Sequence, residues 1–257
     1  DRGAGARPCS ARERAAVSDV SASALPGRNT ALPLEIAAAA AAILFFAYWP
    51  PVHAADIYLE TFFFDRAAGQ WLVPPDARDA FYWLLYRGPK IALAVAGGAA
   101  FLWLCLQAAR RRWRPRYTRY ALGLTVMALV PLVSGLLKAV TGVSCPAQEA
   151  LFAGPYPHSD MLMRLAGNLP GNEHLRCWPA GHASAGFALL GLRLVAPPLL
   201  RSAFVYTAPG VAAGWLLGLY QMARGQHYLS HTFATMAIAL LISALACILL
   251  ARIEDRG

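Results

Sequence analysis

The sequence predicts an all-α, polytopic membrane protein with six transmembrane helices. Of its 257 residues, 58% are hydrophobic and only 14% are charged, whereas an average soluble domain has roughly 25% charged residues. The mean hydropathy is positive, at +0.43. Apolar runs of about 20 residues can cross a hydrocarbon core of about 30 Å, and they must be helical because backbone groups in lipid need partners within the segment. The six runs cover residues 34–49, 91–108, 120–137, 183–200, 203–223 and 232–251.

The segments before and between the first runs have a different composition. Residues 1–29 are rich in Arg, Ala and Ser without apolar periodicity, which predicts a disordered cytoplasmic tail. This tail lacks the apolar core and the cleavage pattern of a signal peptide. Residues 30–257 are expected to form one six-span domain. Residues 71–90 combine Trp and Leu with Asp and Arg, which predicts an amphipathic helix at the membrane interface.

The net charge of +9 comes almost entirely from arginine, because only Lys90 and Lys138 are lysines. Nucleic-acid binders usually spread their charge over an exposed face, so we expect no nucleic-acid partner. Six arginines lie within residues 110–119, between the second and third runs. Such clusters typically mark cytoplasmic loops, although they also attract anionic lipid headgroups. The pattern predicts a bacterial inner-membrane protein with both termini in the cytoplasm.

The segments on the opposite, periplasmic side hold every histidine of the chain, and they hold Lys138 as well. Imidazole is the side chain that titrates near neutral pH. The groups able to do acid–base or nucleophilic chemistry are therefore gathered on one face. The histidines are His53, His158, His174, His182, His227 and His231.

Three short polar stretches, residues 138–146, 176–184 and 221–231, lie at the outer ends of the spans. A lysine pairs with an anion as a compact point charge, and a Gly-His at a helix start offers backbone N–H groups to a phosphate oxygen. One imidazole can attack phosphorus while another protonates the leaving oxygen. These arguments select His182, His227 and His231 as catalytic candidates, and Lys138, Arg176, Gly181 and Arg224 as phosphate-binding candidates.

The first two stretches resemble motifs of the type 2 phosphatidic acid phosphatases (PAP2), in their bacterial integral-membrane lipid phosphatase branch, which is related to vanadium haloperoxidases. The family's first motif is Lys, six residues, then Arg-Pro. Lys138 and Pro146 keep this spacing, with Cys145 at the Arg position. The second motif, Pro-Ser-Gly-His, corresponds to residues 179–182, Pro-Ala-Gly-His.

The third stretch resembles the family's motif of Ser-Arg, five residues, His, three residues, Asp. If His227 occupies the His position, then Gln221 replaces the Arg and His231 replaces the Asp. Arg224, three residues before His227, then substitutes for the missing arginine. A rival register takes His231 as the nucleophile with Thr235 as its orienting group.

The resemblance implies a PAP2/vanadium haloperoxidase-like helical bundle and a two-step phosphoryl transfer. His227 attacks phosphorus to form a phosphohistidine, His182 protonates the leaving group, and water then releases phosphate. The family needs no metal or other cofactor. A zinc site at His227 and His231, four residues apart, is a minor alternative.

Because the motifs lie at headgroup depth, the expected substrate is a lipid phosphate or pyrophosphate in the bilayer. The motifs contact phosphate and therefore do not distinguish among lipids. Two alternatives stay open: a phosphotransferase that passes phosphate to a lipid acceptor, and a non-catalytic transporter or scaffold. The latter predicts charged residues within the spans, and few are present away from the ends.

Two cysteines, Cys145 and Cys177, lie on the outer side, each beside a motif. Thiols outside a bacterial inner membrane tend to oxidise. The sequence therefore predicts a Cys145–Cys177 disulfide that joins the end of the third span to the start of the fourth. The alternative is a pair of free, buried thiols.

Overall fold

The computed structural model describes residues 31–74, 80–167, 175–196 and 204–256. The predicted disordered tail and His174 lie outside these residues. The described part is mostly helical, with one short antiparallel hairpin. The elements, in chain order, are α1 (Ala31–Tyr48), α2 (Pro50–Glu60), β1 (Phe64–Asp65), β2 (Gln70–Trp71), α3 (Ala80–Ala109), α4 (Pro115–Thr141), α5 (Met161–Leu165), α6 (Ala183–Phe187), α7 (Phe204–Met222) and α8 (Leu229–Glu254). Three 3-10 segments add Pro146–Gln148, Ala150–Phe152 and Ala188–Leu194.

Four helices, α1, α3, α4 and α8, are long and apolar enough to cross a membrane. This finding indicates a membrane protein. The predicted fifth run corresponds to α7, which has 19 residues. The predicted fourth run is the shorter apolar helix Ala183–Leu194, in which α6 passes into a 3-10 segment. Six apolar runs in the sequence therefore correspond to four full-length candidate spans and two further helices.

Of the interfacial helix predicted at residues 71–90, the described residues are helical only from Ala80 onward. Trp71 belongs to β2, where it is buried against Phe64 and Phe152. Residues from Ala80 onward form the beginning of α3, which continues without a break to Ala109. Tyr82 in this part of α3 is buried, whereas Phe81, Trp83 and Leu84 are exposed.

Small residues allow the helices to approach closely. A Cβ on Gly191 would overlap the carbonyl group of Gly123 in α4, and a Cβ on Gly214 in α7 would overlap the ring of Phe187. Lipid tails are as apolar as the side chains, so such close van der Waals packing, rather than hydrophobic burial, holds membrane helices together. The buried core formed this way fixes α6 between α4 and α7.

Ion pairs tie the helices together at the end of the bundle where α1 and α4 begin. Arg193, 1% exposed, donates to both carboxylate oxygens of Glu35 in α1, at 2.6 and 2.9 Å. Arg193 also donates to Ser243 in α8 at 3.0 Å. Arg119 at the start of α4 pairs with Glu254 at the end of α8, at 2.7 Å. Arg193 is therefore a structural residue of the bundle interior.

Candidate active site

The site is built where several helices begin or end at one face of the bundle. Lys90 lies near the beginning of α3, Lys138 near the end of α4, and His182 immediately before α6. Arg224 and His227 lie in the loop that joins α7 to α8. Because α3 and α4 run in opposite directions, the beginning of one and the end of the other meet at the same level. Residues from all three predicted motifs therefore come together.

The two predicted catalytic imidazoles face each other. The ring centroids of His182 and His227 are 6.4 Å apart. His227 is only 1% exposed and precedes α8, whereas His231 lies in the first turn of that helix. The rings of His227 and His231 are 6.0 Å apart, and no hydrogen bond joins them among the described residues. Thr235 donates to the carbonyl oxygens of His231 and Ala180, not to the ring of His231.

The ring of His227 contacts Cys177. Its Nδ1 lies 3.5 Å from the sulfur of Cys177, which leaves Nε2 as the ring nitrogen available to react. Cys177 is joined to Cys145 by a disulfide, with Cα atoms 5.1 Å apart. The sulfur of Cys177 also lies 3.1 Å from the carbonyl oxygen of Gln226. The predicted pairing of the two cysteines thus places a disulfide directly behind the candidate nucleophile.

The hairpin β1–β2 packs over the loop that carries His227. Gly225 has φ = +64°, and a Cβ there would overlap the indole ring of Trp71, so glycine is needed on both grounds. The backbone N–H of Val73 donates to Ala223 at 2.9 Å, and that of Ala147 donates to Gly225 at 2.8 Å. These contacts fix the loop from two sides.

Lys138 approaches the backbone beside His182. A Cβ built on Gly181 would lie 3.6 Å from Cδ and 3.9 Å from Nζ of Lys138, so any larger side chain would push against the lysine. Burial, followed by the charges of Lys90, Lys138 and Arg224, lowers the pKa of His182 to about 3. Burial and Lys138 also lower the pKa of His227 well below its usual value. Both imidazoles are therefore neutral at pH 7.

Lys90 is a site residue that sequence reasoning missed. Its ammonium group donates to Nε2 of His182 at 2.7 Å and lies 4.7 Å from the ring centroid of Tyr86. The ring of Tyr86 in turn lies 4.2 Å from that of His182. A π-helical turn at Trp83–Arg87 stacks Tyr82 on Tyr86 at 4.7 Å, and such turns are frequent at functional sites. The four-residue spacing of Tyr82, Tyr86 and Lys90 was the available signal.

The two predicted arginines differ in position. Arg224 is 3% exposed, and its guanidinium lies 5.1 to 5.5 Å from the ring centroids of Tyr82, Tyr86 and Tyr220. Cation–π contacts of this kind hold an arginine in place. Arg176 is exposed and has no hydrogen bond or ion pair with another described residue. The structure therefore brings Arg224, and not Arg176, into the cluster.

A network of acidic groups supports the loop from the side away from Lys90. Glu149 accepts hydrogen bonds from Tyr228 at 2.7 Å and from Ser144 at 2.7 Å, and it pairs with His158 at 2.8 Å. Burial alone would lower the pKa of His158, but hydrogen bonds to Asp160 and Glu149 raise it to about 9. His158 is therefore charged at neutral pH and anchors Tyr228, the residue after His227.

One group of side chains in the described ranges has the spacing of a metal site: the ligand atoms of Cys145, Cys177 and His227 lie within 4.8 Å of one another. The two sulfurs are bonded to each other, so they cannot act as thiolate ligands. His227 lies outside α8 and His231 within it, so the helical four-residue spacing that suggested the zinc alternative is not formed.

Comparison with known families places these residues in context. The family model of the PAP2 superfamily matches residues 119–254, just over half of the chain. The matched region includes Lys138, His182, Arg224 and His227, whereas Lys90 lies before it. No curated protein and no solved structure matches the chain significantly. The chain belongs to the PAP2 superfamily.

Proposed function

We propose that the protein is a membrane phosphatase that hydrolyses a lipid phosphate or pyrophosphate ester through a phosphohistidine intermediate on His227. Membership of the PAP2 superfamily supports phosphatase-type activity in general. The observation that carries the specific proposal is the meeting of His227, His182 and Lys138 at one end of the bundle. Each residue type suits one task in phosphoryl transfer.

In the first step, Nε2 of His227 attacks phosphorus while the bond from phosphorus to the leaving oxygen breaks. Because Nδ1 lies against Cys177, Nε2 is the nitrogen assigned to the attack. Lys138 offsets the negative charge of the transferring group, which is the largest single contribution in many such sites. In the second step, a water molecule attacks the phosphohistidine, and His227 is regenerated.

The protonation states follow from the charges of the site. A neutral His227 is a competent nucleophile, and burial beside Lys138 keeps it neutral. His182 is also neutral, because burial and then the charges of three cations lower its pKa. A bound phosphate opposes those cations and raises the pKa of His182. Binding of the substrate therefore favours protonation of His182, which then passes that proton to the leaving oxygen.

The proposal includes the placement of the protein in the membrane. Six spans, counting α7 and the Ala183–Leu194 helix, put the arginine-rich segment 110–119 and both termini in the cytoplasm. The candidate site then opens at the periplasmic face of a bacterial inner membrane. There it lies at the depth of the lipid headgroups, which suits a lipid ester.

The test is phosphate release from a panel of lipid phosphates and pyrophosphates by purified protein. His182→Ala and His227→Ala are each expected to lower the turnover by at least about 100-fold, the scale for losing a proton donor. Arg176→Ala serves as a matched surface control with expected activity within about twofold of the wild type. Full activity in both histidine variants would refute the mechanism. Transfer to an added lipid acceptor, with little free phosphate, would identify a phosphotransferase.

A further inference from the structure

The positive charges of the site are unevenly distributed between the two catalytic imidazoles. Three cations, Lys90, Lys138 and Arg224, act on His182. Only Lys138 among them acts on His227. The direct contact of Lys90 with Nε2 of His182, at 2.7 Å, shows the same asymmetry in the geometry. Two of the three cations therefore lie on the side of His182.

The two additional cations are held by one aromatic platform. Tyr86 lies 4.7 Å from the Lys90 ammonium and 5.1 Å from the Arg224 guanidinium, measured to its ring centroid. Tyr82 is stacked on Tyr86 and also contacts Arg224, at 5.5 Å. The platform belongs to the first turns of α3, outside the region matched by the family model. It keeps both charges in place before any substrate binds.

The PAP2 motifs that this chain resembles have arginines at two positions, and this chain has Cys145 and Gln221 there. Neither of these side chains carries a charge, since Cys145 is in a disulfide and Gln221 is an amide. The charge missing from those two positions is present instead at Lys90 and Arg224. It is placed on the side of His182 rather than beside the nucleophile.

The proposed function assigns the His182 side to the leaving group, and the present inference rests on that assignment. A diacylglycerol or prenol leaving group is uncharged apart from the oxygen that His182 protonates, so it offers nothing for two further cations to bind. A leaving group that is itself a phosphate ester carries negative charge, which Lys90 and Arg224 can bind with charge-assisted hydrogen bonds.

We propose that Lys90 and Arg224, on the Tyr82–Tyr86 platform, form a leaving-group phosphate subsite, and that the preferred substrate is a lipid diphosphate. His227 attacks the terminal phosphorus, and the new N–P bond forms as the bond to the bridging oxygen breaks. The bridging oxygen leaves with the electron pair on the inner phosphate, where the two cations stabilise it. Water then cleaves the N–P bond, so that the products are inorganic phosphate and the lipid monophosphate.

The experiment compares two substrates that share one lipid, dioctanoylglycerol pyrophosphate and dioctanoyl phosphatidic acid, in detergent micelles. Initial rates give kcat/KM for wild type, Lys90→Met, Lys90→Arg and Arg224→Gln. For Lys90→Met, kcat/KM should fall by about 100-fold on the pyrophosphate, the scale for losing one charge-stabilising donor. On the monophosphate, where Lys90 acts only through its contact with Nε2 of His182, the loss should be smaller by roughly tenfold or more. Lys90→Arg keeps the charge and should recover most of the activity on the pyrophosphate.

Arg87→Gln is the matched control, because it removes an exposed positive charge one turn before Lys90 that contacts Trp83 instead of the site. It should leave both substrates unaffected. An equal loss on both substrates in Lys90→Met, or no loss on either, would overturn the subsite while leaving the phosphatase proposal intact. Retained hydrolysis in His227→Asn would overturn the proposed function, and the subsite assignment with it.

Discussion

His227 is held in an unusual way for the family it belongs to. The family motif places an Asp four residues after the His, whereas this chain has His231 there, with its ring 6.0 Å from that of His227. The Nδ1 atom of His227 instead meets the disulfide-bonded sulfur of Cys177. Cys145, which replaces the motif arginine, is the other half of that disulfide. Two departures from the family pattern thus combine in one structural feature behind the candidate nucleophile.

Removing the disulfide should therefore affect both stability and catalysis. The disulfide closes a segment with a sequence separation of 32, and the chain-entropy model gives a stabilisation of about 3 to 4 kcal/mol for such a loop. Cys145→Ser combined with Cys177→Ser should lower the melting temperature in detergent and reduce kcat at temperatures where the variant is still folded. Cys105→Ser, at an exposed free cysteine, is the control. An unchanged melting temperature and kcat in the double variant would contradict this role.

Glu60 makes stability depend on pH. It is fully buried, and burial followed by the nearby charges of Asp56 and Glu149 raises its pKa to about 9. The pKa of Glu60 in the folded protein exceeds its unfolded value near 4.5, so folding favours the protonated carboxyl. The stability that this preference supports is fully present below pH 4.5 and is lost as the pH rises towards 9. Glu60→Gln should thus raise the melting temperature more at pH 8 than at pH 5, by about 5 °C. An equal shift at both pH values would show that the charge of Glu60 is not the cause.

At the scale of elements, the sequence places the helices better than it defines their interiors. Apolar runs locate α1, α4 and α8 because length and hydropathy are local properties. The runs do not reveal that α6 passes into a 3-10 segment at Ala188, since that change depends on packing against Gly123 and Gly214 in other helices. Nor do they reveal the π-helical turn of α3 or the contact of Lys90 with His182. Contacts between distant segments decide both features.

The ion pair between α1 and the Ala183–Leu194 helix should be a strong link. Glu35→Gln leaves Arg193 buried without its counter-charge, which typically costs about 3 to 5 kcal/mol. Glu254→Gln disrupts the more exposed pair with Arg119 and should cost no more than about 1 kcal/mol. The melting temperatures of both variants, measured by thermal unfolding in the same detergent, are compared with that of the wild type. Similar melting temperatures for the two variants would contradict a structural role for the buried pair.

For the whole molecule, the sequence predicts the family, and four of its candidate site residues lie together at one end of the bundle: Lys138, His182, Arg224 and His227. It does not predict that Arg176 is exposed or that Lys90 contacts His182. Single-sequence motifs identify residues within the matched region, and Lys90 comes from a helix that precedes it. The orientation of the bundle in the membrane rests on charge distribution alone.

Reporter fusions test that orientation. Alkaline phosphatase is active only outside the cytoplasm, so its fusion after Arg114, in the arginine-rich segment, should be inactive. A fusion after Ala153, in the loop that follows α4, should be active. A fluorescent protein fused at the C terminus should fluoresce. The reverse pattern would place the candidate site in the cytoplasm and remove periplasmic lipids as substrates.

The most direct test of the phosphohistidine on His227 needs no knowledge of the lipid. Purified protein is incubated with inorganic phosphate labelled with oxygen-18 in ordinary water, and the label is followed by mass spectrometry. Reversible formation of a phosphohistidine releases one phosphate oxygen as water, so the wild type should replace the label progressively. His231→Asn should retain the exchange and His227→Asn should lose it. Exchange that survives in His227→Asn, or its absence in a wild type that hydrolyses lipid phosphates and is inhibited by phosphate, would contradict the mechanism.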